Sequence, residues 1–420
     1  MPPSLPAALS LLLLVAHPTA QSDSPFVAWA RGHLAPLNSP ARAFKALDSG
    51  IARAQLIGVG ESVHEVQPFL EFRFQLLRHL VRNHGVTALV LESGLPEAMA
   101  LDDYVGGRTA SVDFDIALPG GFGSLAEIRR TMEWLREWNA GQGRGRPVSV
   151  YGADLPGSAG SMVPALDRLE DIVGGHADSR RLIGAIRPVA ERASGPWWGA
   201  AAEKYDALPA DLKAGLTSDV RLLAQAVGQS PGVDAGRREW ARRLARVLEQ
   251  HEAMLRLGAF SPTVPRDEAL AENTLWVLGR LARGDRAVFW AHNAHIQRVP
   301  AQGPALPVAS AELSGLRLSR ALGERYYAIA TAYGGPSMED ATRAAGDSVD
   351  GTLELVSNQP FLLPLRAQST PAAVDSWLAQ PRLMRFQTGY LSLPLAAAFD
   401  AVAYFDRASP AARISPARTP

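Results

Sequence analysis

Gly58-Val-Gly-Glu61-Ser-Val-His64 closes the short apolar run Ala54–Val59 and leads into a longer segment of different period. From Val66 to His84 the apolar residues recur at helical spacing, with Phe69, Phe72, Leu76, Leu77 and Leu80 on one stripe. A second short run then ends in Leu89-Val-Leu-Glu92. Strand, helix, strand is the unit of a parallel sheet, so this stretch sets the fold class as α/β. At about 100° per residue, Arg73 projects from the middle of the apolar stripe. Arginine does not give up its proton, so burial there calls for a carboxylate partner. Glu61 and Glu92, both at strand ends nearby, are the natural candidates.

The same alternation continues outward. Val148–Tyr151, Ala287–Trp290, Tyr326–Thr331 and Ala401–Phe405 read as further strands of a central, mostly parallel sheet flanked by helices. Between Ser158 and Arg283 the pattern turns helical, with helices expected near 161–173, 178–193, 207–227, 235–257 and 267–283. The organisation is therefore an α/β core over residues 21–157 and 284–420, with an inserted helical subdomain over 158–283. Gly334–Pro364, rich in Gly, Ser and Asp, reads as a long loop or irregular excursion.

Polar residues fall at one place on several strands. Glu61 lies just past the first, Glu92 at the end of the second, Asp154 just past the third and His292 just past the fourth. Ligands of open α/β sheets bind at those carboxyl ends. His292 and His295, three apart in Trp290-Ala-His-Asn-Ala-His295, share a face if the chain enters a turn or helix there. Charge so placed is costly unless the groups serve one another, and an active site meets that condition. Trp197 and Trp198, at a break between inserted helices, offer an apolar wall for a ligand.

Composition narrows the classes. Forty-two basic residues balance forty-two acidic ones, which gives no reason to expect a nucleic-acid partner. There is no cysteine, which excludes thiol nucleophiles, disulfides and thiolate metal sites. Leu9–Ala16 is apolar but too short to span a bilayer, and Gln21-Ser-Asp-Ser follows it. Residues 1–20 thus read as a signal peptide cut near Ala20, although no Lys or Arg precedes the apolar stretch and Pro18 sits awkwardly before the cut. The expected location is periplasmic or secreted, with no stable membrane span after cleavage. Gly228-Gln-Ser230-Pro-Gly232 matches a serine-hydrolase pattern but joins two helices instead of a strand to a helix. Gly58-Val-Gly60 after a strand lacks the third glycine of a dinucleotide loop.

The ordered set Gly-Glu-x-x-His (60–64), Phe69, Arg73, Leu-Glu (91–92) and Trp-x-His-Asn-x-His (290–295) resembles the erythromycin esterase family. Looser agreement runs through Trp134–Asn139, Tyr151–Asp154, Leu322–Ile329 and Phe399–Ala401. The resemblance implies hydrolysis of a carboxylic ester or macrolactone without a metal or other cofactor. It also implies an active site of Glu61, His64, Arg73, Glu92, His292 and His295. Family members often carry Ala-Thr between the Glu and His and Gly after it. This chain has Ser62-Val63 and Glu65, an extra carboxylate expected to alter the His64 pKa or the pocket.

The residues themselves support the same chemistry, with His64 as base for water and Glu61 holding its tautomer. His292 and His295 are expected to donate to the carbonyl oxygen or leaving group. Arg73 is expected to order both carboxylates, with Asp154, Trp197 and Trp198 contacting substrate. Two other readings stay open: a metal-dependent hydrolase on the same histidines and carboxylates, and a periplasmic ligand-binding protein without turnover.

Overall fold

The structure is a computed structural model that describes residues 24–414 apart from 231, 262–263, 339–341 and 367–369. The expected signal segment, residues 1–20, lies outside the described residues.

Among the described residues, ten strands form in chain order. They are β1 (Ala35–Pro36), β2 (Leu56–Val59), β3 (Val86–Gly94), β4 (Ser149–Asp154), β5 (Arg286–Trp290), β6 (Tyr326–Tyr333), β7 (Phe361–Pro364), β8 (Pro381–Phe386), β9 (Gly389–Pro394) and β10 (Ala401–Phe405). Eight build one sheet in the order β1-β7-β10-β6-β2-β5-β3-β4, and β8 and β9 pair as a separate hairpin. The pairings from β10 across to β4 are all parallel, while β7 runs antiparallel to both β10 and β1. The central strands read as unbroken apolar runs because helices cover both faces; every residue of β6 is buried.

One face packs helix Gln67–Asn83 and helix Ala126–Ala140 through Phe69, Phe72, Leu77 and Met132. The other packs helices Pro25–His33, Pro265–Arg280 and Ser314–Leu322 through Phe26, Leu270, Leu318 and Phe289. Helices Val163–Val173, Ala177–Ala193, Trp198–Asp206, Ala210–Gly228 and Ala235–Leu257 gather around a third apolar cluster of their own. Leu95 and Leu155, at the ends of β3 and β4, carry that cluster into the sheet. Helix Pro265–Arg280, which closes the helical stretch, packs on β4 and so belongs as much to the sheet as to the bundle.

Two sequence expectations need correction. The stretch 334–364 is not one long loop: it contains helix Val349–Val356, capped by Ser348, and strand β7, which lies between β1 and β10. Helix Trp198–Asp206 is hidden in the sequence because Gly195-Pro196 precede it and Gly199 falls in its first turn. Ser230 bears out the caution over its motif: it lies between helices, is buried, and donates to the carbonyl of Ala226. Among the described residues, no helix is long and apolar enough to cross a membrane.

Candidate active site

Glu61, Glu92, Asp154 and His292 all stand at the carboxyl ends of adjacent strands, β2, β3, β4 and β5. Two local features let them meet. Gly60 has no side chain because a Cβ there would overlap the Asn293 side chain, so the turn after β5 closes directly on the end of β2. The β3–β4 register also breaks between Leu91 and Gly94, an irregularity that re-aims Glu92 at the crevice.

Glu61 is 3% exposed. It accepts a hydrogen bond from His64 Nδ1 at 2.7 Å and pairs with Arg73 Nη1 at 3.1 Å. Arg73 donates through Nη2 to the carbonyls of Val59 (3.0 Å) and Ala291 (2.5 Å). One guanidinium thus ties the ends of β2 and β5 to the buried carboxylate, as its place in the apolar stripe required. The His64 ring meets Phe122 and His292 edge-on, with centroids 5.4 and 5.3 Å away. Burial works against its imidazolium, but the Glu61 carboxylate, aided by Glu92, outweighs that and raises the His64 pKa above its ordinary value. Glu61 itself is lowered: burial opposes its charge, while Arg73 and His64 favour it more strongly.

A second network stands behind the first. Glu92 accepts from the His292 backbone N–H (2.7 Å) and from Arg266 Nη2 (2.9 Å), and lies 3.3 Å from His295 Nε2. Burial disfavours its ionisation, yet His295 and Arg266 hold it well below the usual carboxylate range. Arg266 also binds both oxygens of Asp154, at 2.6 to 3.1 Å. His295 donates from Nδ1 to Asp267 at 2.6 Å. Its pKa is pushed up to about 10 because Asp267 and Glu92 more than offset burial, so it is an imidazolium clamped between two carboxylates. His292 is the opposite case. Its Nε2 donates to the Ser62 carbonyl (2.7 Å) and its Nδ1 accepts from the Ala294 N–H (3.2 Å). Burial, reinforced by His64 beside it, pushes it down to about 3, so it is neutral.

The geometry therefore brings the six expected residues together but changes several roles. His292 and His295 cannot donate to a substrate carbonyl as expected, since both ring nitrogens of each are committed within the protein. Arg73 does not bridge two carboxylates; it serves Glu61, and Glu92 is served by Arg266. Asp154 is fully buried with both oxygens on Arg266, so it positions that guanidinium and is not itself free for substrate. Glu65 turns to Arg413 and not to His64. Its φ of 61° explains why glycine suits this position. Sequence reasoning missed Arg266 and Asp267, because charges just after Pro265 at a helix start look like ordinary end-capping residues.

Part of this network borders a cavity of about 350 Å³. Its floor is Glu61, His64, Arg73, Glu92 and Arg266, and Phe122 and Trp290 flank it. Trp197 and Trp198 form part of its wall, packed edge-on at 5.1 Å, with Trp197 52% exposed. A cleft of about 450 Å³ elsewhere, between Phe44, Phe72 and Phe405, has no converging acid–base pair. Among the described residues, the ligating atoms of His64, His292, His295, Glu61 and Glu92 do not converge on a point where one ion would sit.

The His295 clamp carries a pH signature. Its folded pKa, about 10, lies above the ordinary 6.5 of the unfolded chain. The stabilisation is therefore fully present below about pH 6.5 and lost as pH rises through about 10. Asp267→Asn is expected to destabilise the protein by on the order of 2–4 kcal/mol near neutral pH. The gap from the parent should narrow toward pH 10, as read from urea midpoints across that range. A gap independent of pH would mean that His295 is not charged.

A histidine held by a buried carboxylate at the mouth of a parallel sheet, over an apolar-walled cavity, is the equipment of an acid–base enzyme. Its class follows from kinship: the chain belongs to the erythromycin esterase family, whose profile, Erythromycin esterase, matches residues 81–408, and so falls among hydrolases of the esterase class. That match begins after Arg73 and includes Glu92, Arg266, His292 and His295. The chain is 23% identical over 402 residues to erythromycin esterase type II of Escherichia coli, covering 87% of this chain and 92% of that protein. Against erythromycin esterase type I of E. coli it is 25% identical, covering 71% and 74%. Among solved structures it resembles a Bacillus cereus protein (TM-score 0.76, 20% identity, 92% and 98% covered). It also resembles a succinoglycan biosynthesis protein (0.76, 20%, 93% and 99%). A third likeness is to a mutant of the erythromycin esterase EreC in its open conformation (0.71, 20%, 88% and 94%).

Proposed function

We propose that the protein hydrolyses a carboxylic ester, with a macrolactone of the erythromycin type as the leading substrate class, by direct attack of water activated on His64. The observation that carries this reading is the His64–Glu61 contact. Nδ1 is bound to a carboxylate at 2.7 Å, which leaves Nε2 as the free ring nitrogen of a side chain that lines the cavity. Nε2 takes a proton from water as the oxygen bonds to the ester carbonyl carbon. Glu61 stabilises the resulting imidazolium and fixes the tautomer. Arg266 lines the same cavity, and its Nη1 has no partner among the described residues, so it supplies positive charge for the developing oxyanion. Collapse of the tetrahedral intermediate breaks the bond to the alkoxide, which takes its proton back from His64 and departs as the alcohol. Trp197 and Trp198 provide the apolar wall that a large lactone ring would pack against. The family and its two E. coli relatives favour a macrolide over a simple ester.

The test is single turnover in ¹⁸O-labelled water with 14- and 16-membered macrolides and simple esters. One labelled oxygen is expected in the product acid, with no covalent adduct on the protein and no loss of rate after chelation. Trapping of an acyl group on Ser62, or chelator-sensitive turnover restored by Zn²⁺, would overturn the direct-water reading. We further propose, from the apolar Leu9–Ala16 stretch, that the protein acts outside the cytoplasm. N-terminal sequencing from the native host is expected to begin near Gln21, and an intact Met1–Ala20 segment would contradict it.

A further inference from the structure

Away from the candidate active site, the side chains of Asp48, His79 and His84 converge on one another. His79 sits just before the last turn of helix Gln67–Asn83, His84 caps that helix, and Asp48 opens helix Asp48–Ile51. Nε2 of His84 lies 2.9 Å from Asp48 Oδ1, and Nε2 of His79 lies 3.3 Å from the same oxygen. The two Nε2 atoms are 3.3 Å from each other. Both imidazoles thus aim at one carboxylate oxygen and at one another. If both nitrogens carried protons, the two N–H groups would crowd each other, and a second oxygen on Asp48 would be the better acceptor.

The triangle fits a cation better. Zn–N bonds of about 2.0–2.1 Å at tetrahedral angles place neighbouring ligand atoms about 3.3–3.4 Å apart. Two edges of the triangle match that spacing, and the third is shorter by a few tenths of an ångström. Two imidazoles and one carboxylate are a donor set suited to Zn²⁺ and related divalent first-row ions. The side chains are 11%, 14% and 45% exposed for His79, His84 and Asp48, so the fourth position opens to solvent on the Asp48 side.

We propose that Asp48, His79 and His84 form a binding site for one Zn²⁺ or similar divalent ion that staples helix Asp48–Ile51 to the end of helix Gln67–Asn83. Helix rise puts His84 about 16 Å along the axis from Arg73, so the ion is structural and separate from the water-activating histidine. The site is independent of the proposed reaction.

The experiment uses the purified full chain after chelation and dialysis, titrated with Zn²⁺ by calorimetry and with Co²⁺ by visible absorption. One ion per chain is expected, with a tetrahedral Co²⁺ spectrum and a rise in melting temperature on adding Zn²⁺. His84→Ala and Asp48→Asn, each checked for folding by circular dichroism, should lose the bound ion and the thermal shift while keeping esterase turnover. His64→Ala should keep both. If the parent binds no ion, the proposal fails. It fails equally if a folded His79→Ala/His84→Ala variant binds as the parent does, or if His64→Ala abolishes binding, which would place the ion in the catalytic cavity.

Discussion

Replacing His64 with alanine is expected to lower kcat by about 10²–10⁴-fold while leaving KM within a few-fold of the parent, because a positioned general base contributes that much. The pH profile makes the expectation sharper. His64 must be neutral to accept a proton, and its pKa is raised by Glu61 against the opposing effect of burial. Activity in the parent should therefore climb with pH through a midpoint above the ordinary histidine value of about 6.5. Glu61→Gln removes the charge that raises the pKa and leaves burial and Arg73 to lower it. In that variant the midpoint should move to lower pH, with a smaller plateau because a weaker base removes the proton less well. A profile in which Glu61→Gln leaves the acid limb unmoved would show that another group sets it, and a His64→Ala enzyme of parental kcat would remove His64 from the reaction.

The second large effect is on stability. Arg73 is 4% exposed and is the ion-pair partner of a carboxylate that is 3% exposed. Arg73→Ala strips that carboxylate of its guanidinium and leaves the Val59 and Ala291 carbonyls without their donor. Breaking such a pair from one side costs on the order of 3–5 kcal/mol, well above the loss of a surface ion pair. Urea unfolding should show a lower midpoint with little change in slope. The deficit should shrink as pH falls, since an unpaired, buried Glu61 takes up a proton more readily than a paired one. Activity should fall as well, through misplacement of Glu61 and hence of His64. An unchanged midpoint would mean that the folded state does not depend on the pair.

Much of this is legible in the chain alone, and for identifiable reasons. The alternation of short apolar runs with amphipathic segments announces a parallel sheet with helices on both faces, because period and length are properties of local sequence. Arg73 announces its own burial by standing in a stripe of phenylalanines and leucines, and a buried guanidinium demands a carboxylate. Glu61, Glu92, Asp154 and His292 announce a crevice by falling at the same end of successive strands. Each of these inferences needs only neighbours within a few residues or the general geometry of α/β sheets.

What the sequence could not decide is who pairs with whom across it. Arg266 and Glu92 are 174 residues apart, and only the packing of helix Pro265–Arg280 against β4 sets that guanidinium between Glu92 and Asp154. The two histidines of Trp290–His295 look equivalent in the chain. Yet one is neutral and the other cationic, because burial and the neighbouring His64 disfavour charge on His292 while Asp267 and Glu92 hold it on His295. Protonation depends on burial and on charges brought from distant segments, and those exist only once the chain has folded. The same holds for Asp48, His79 and His84. Nothing in their spacing singles them out, and their convergence within 3.3 Å arises from the packing of one short helix against the end of another.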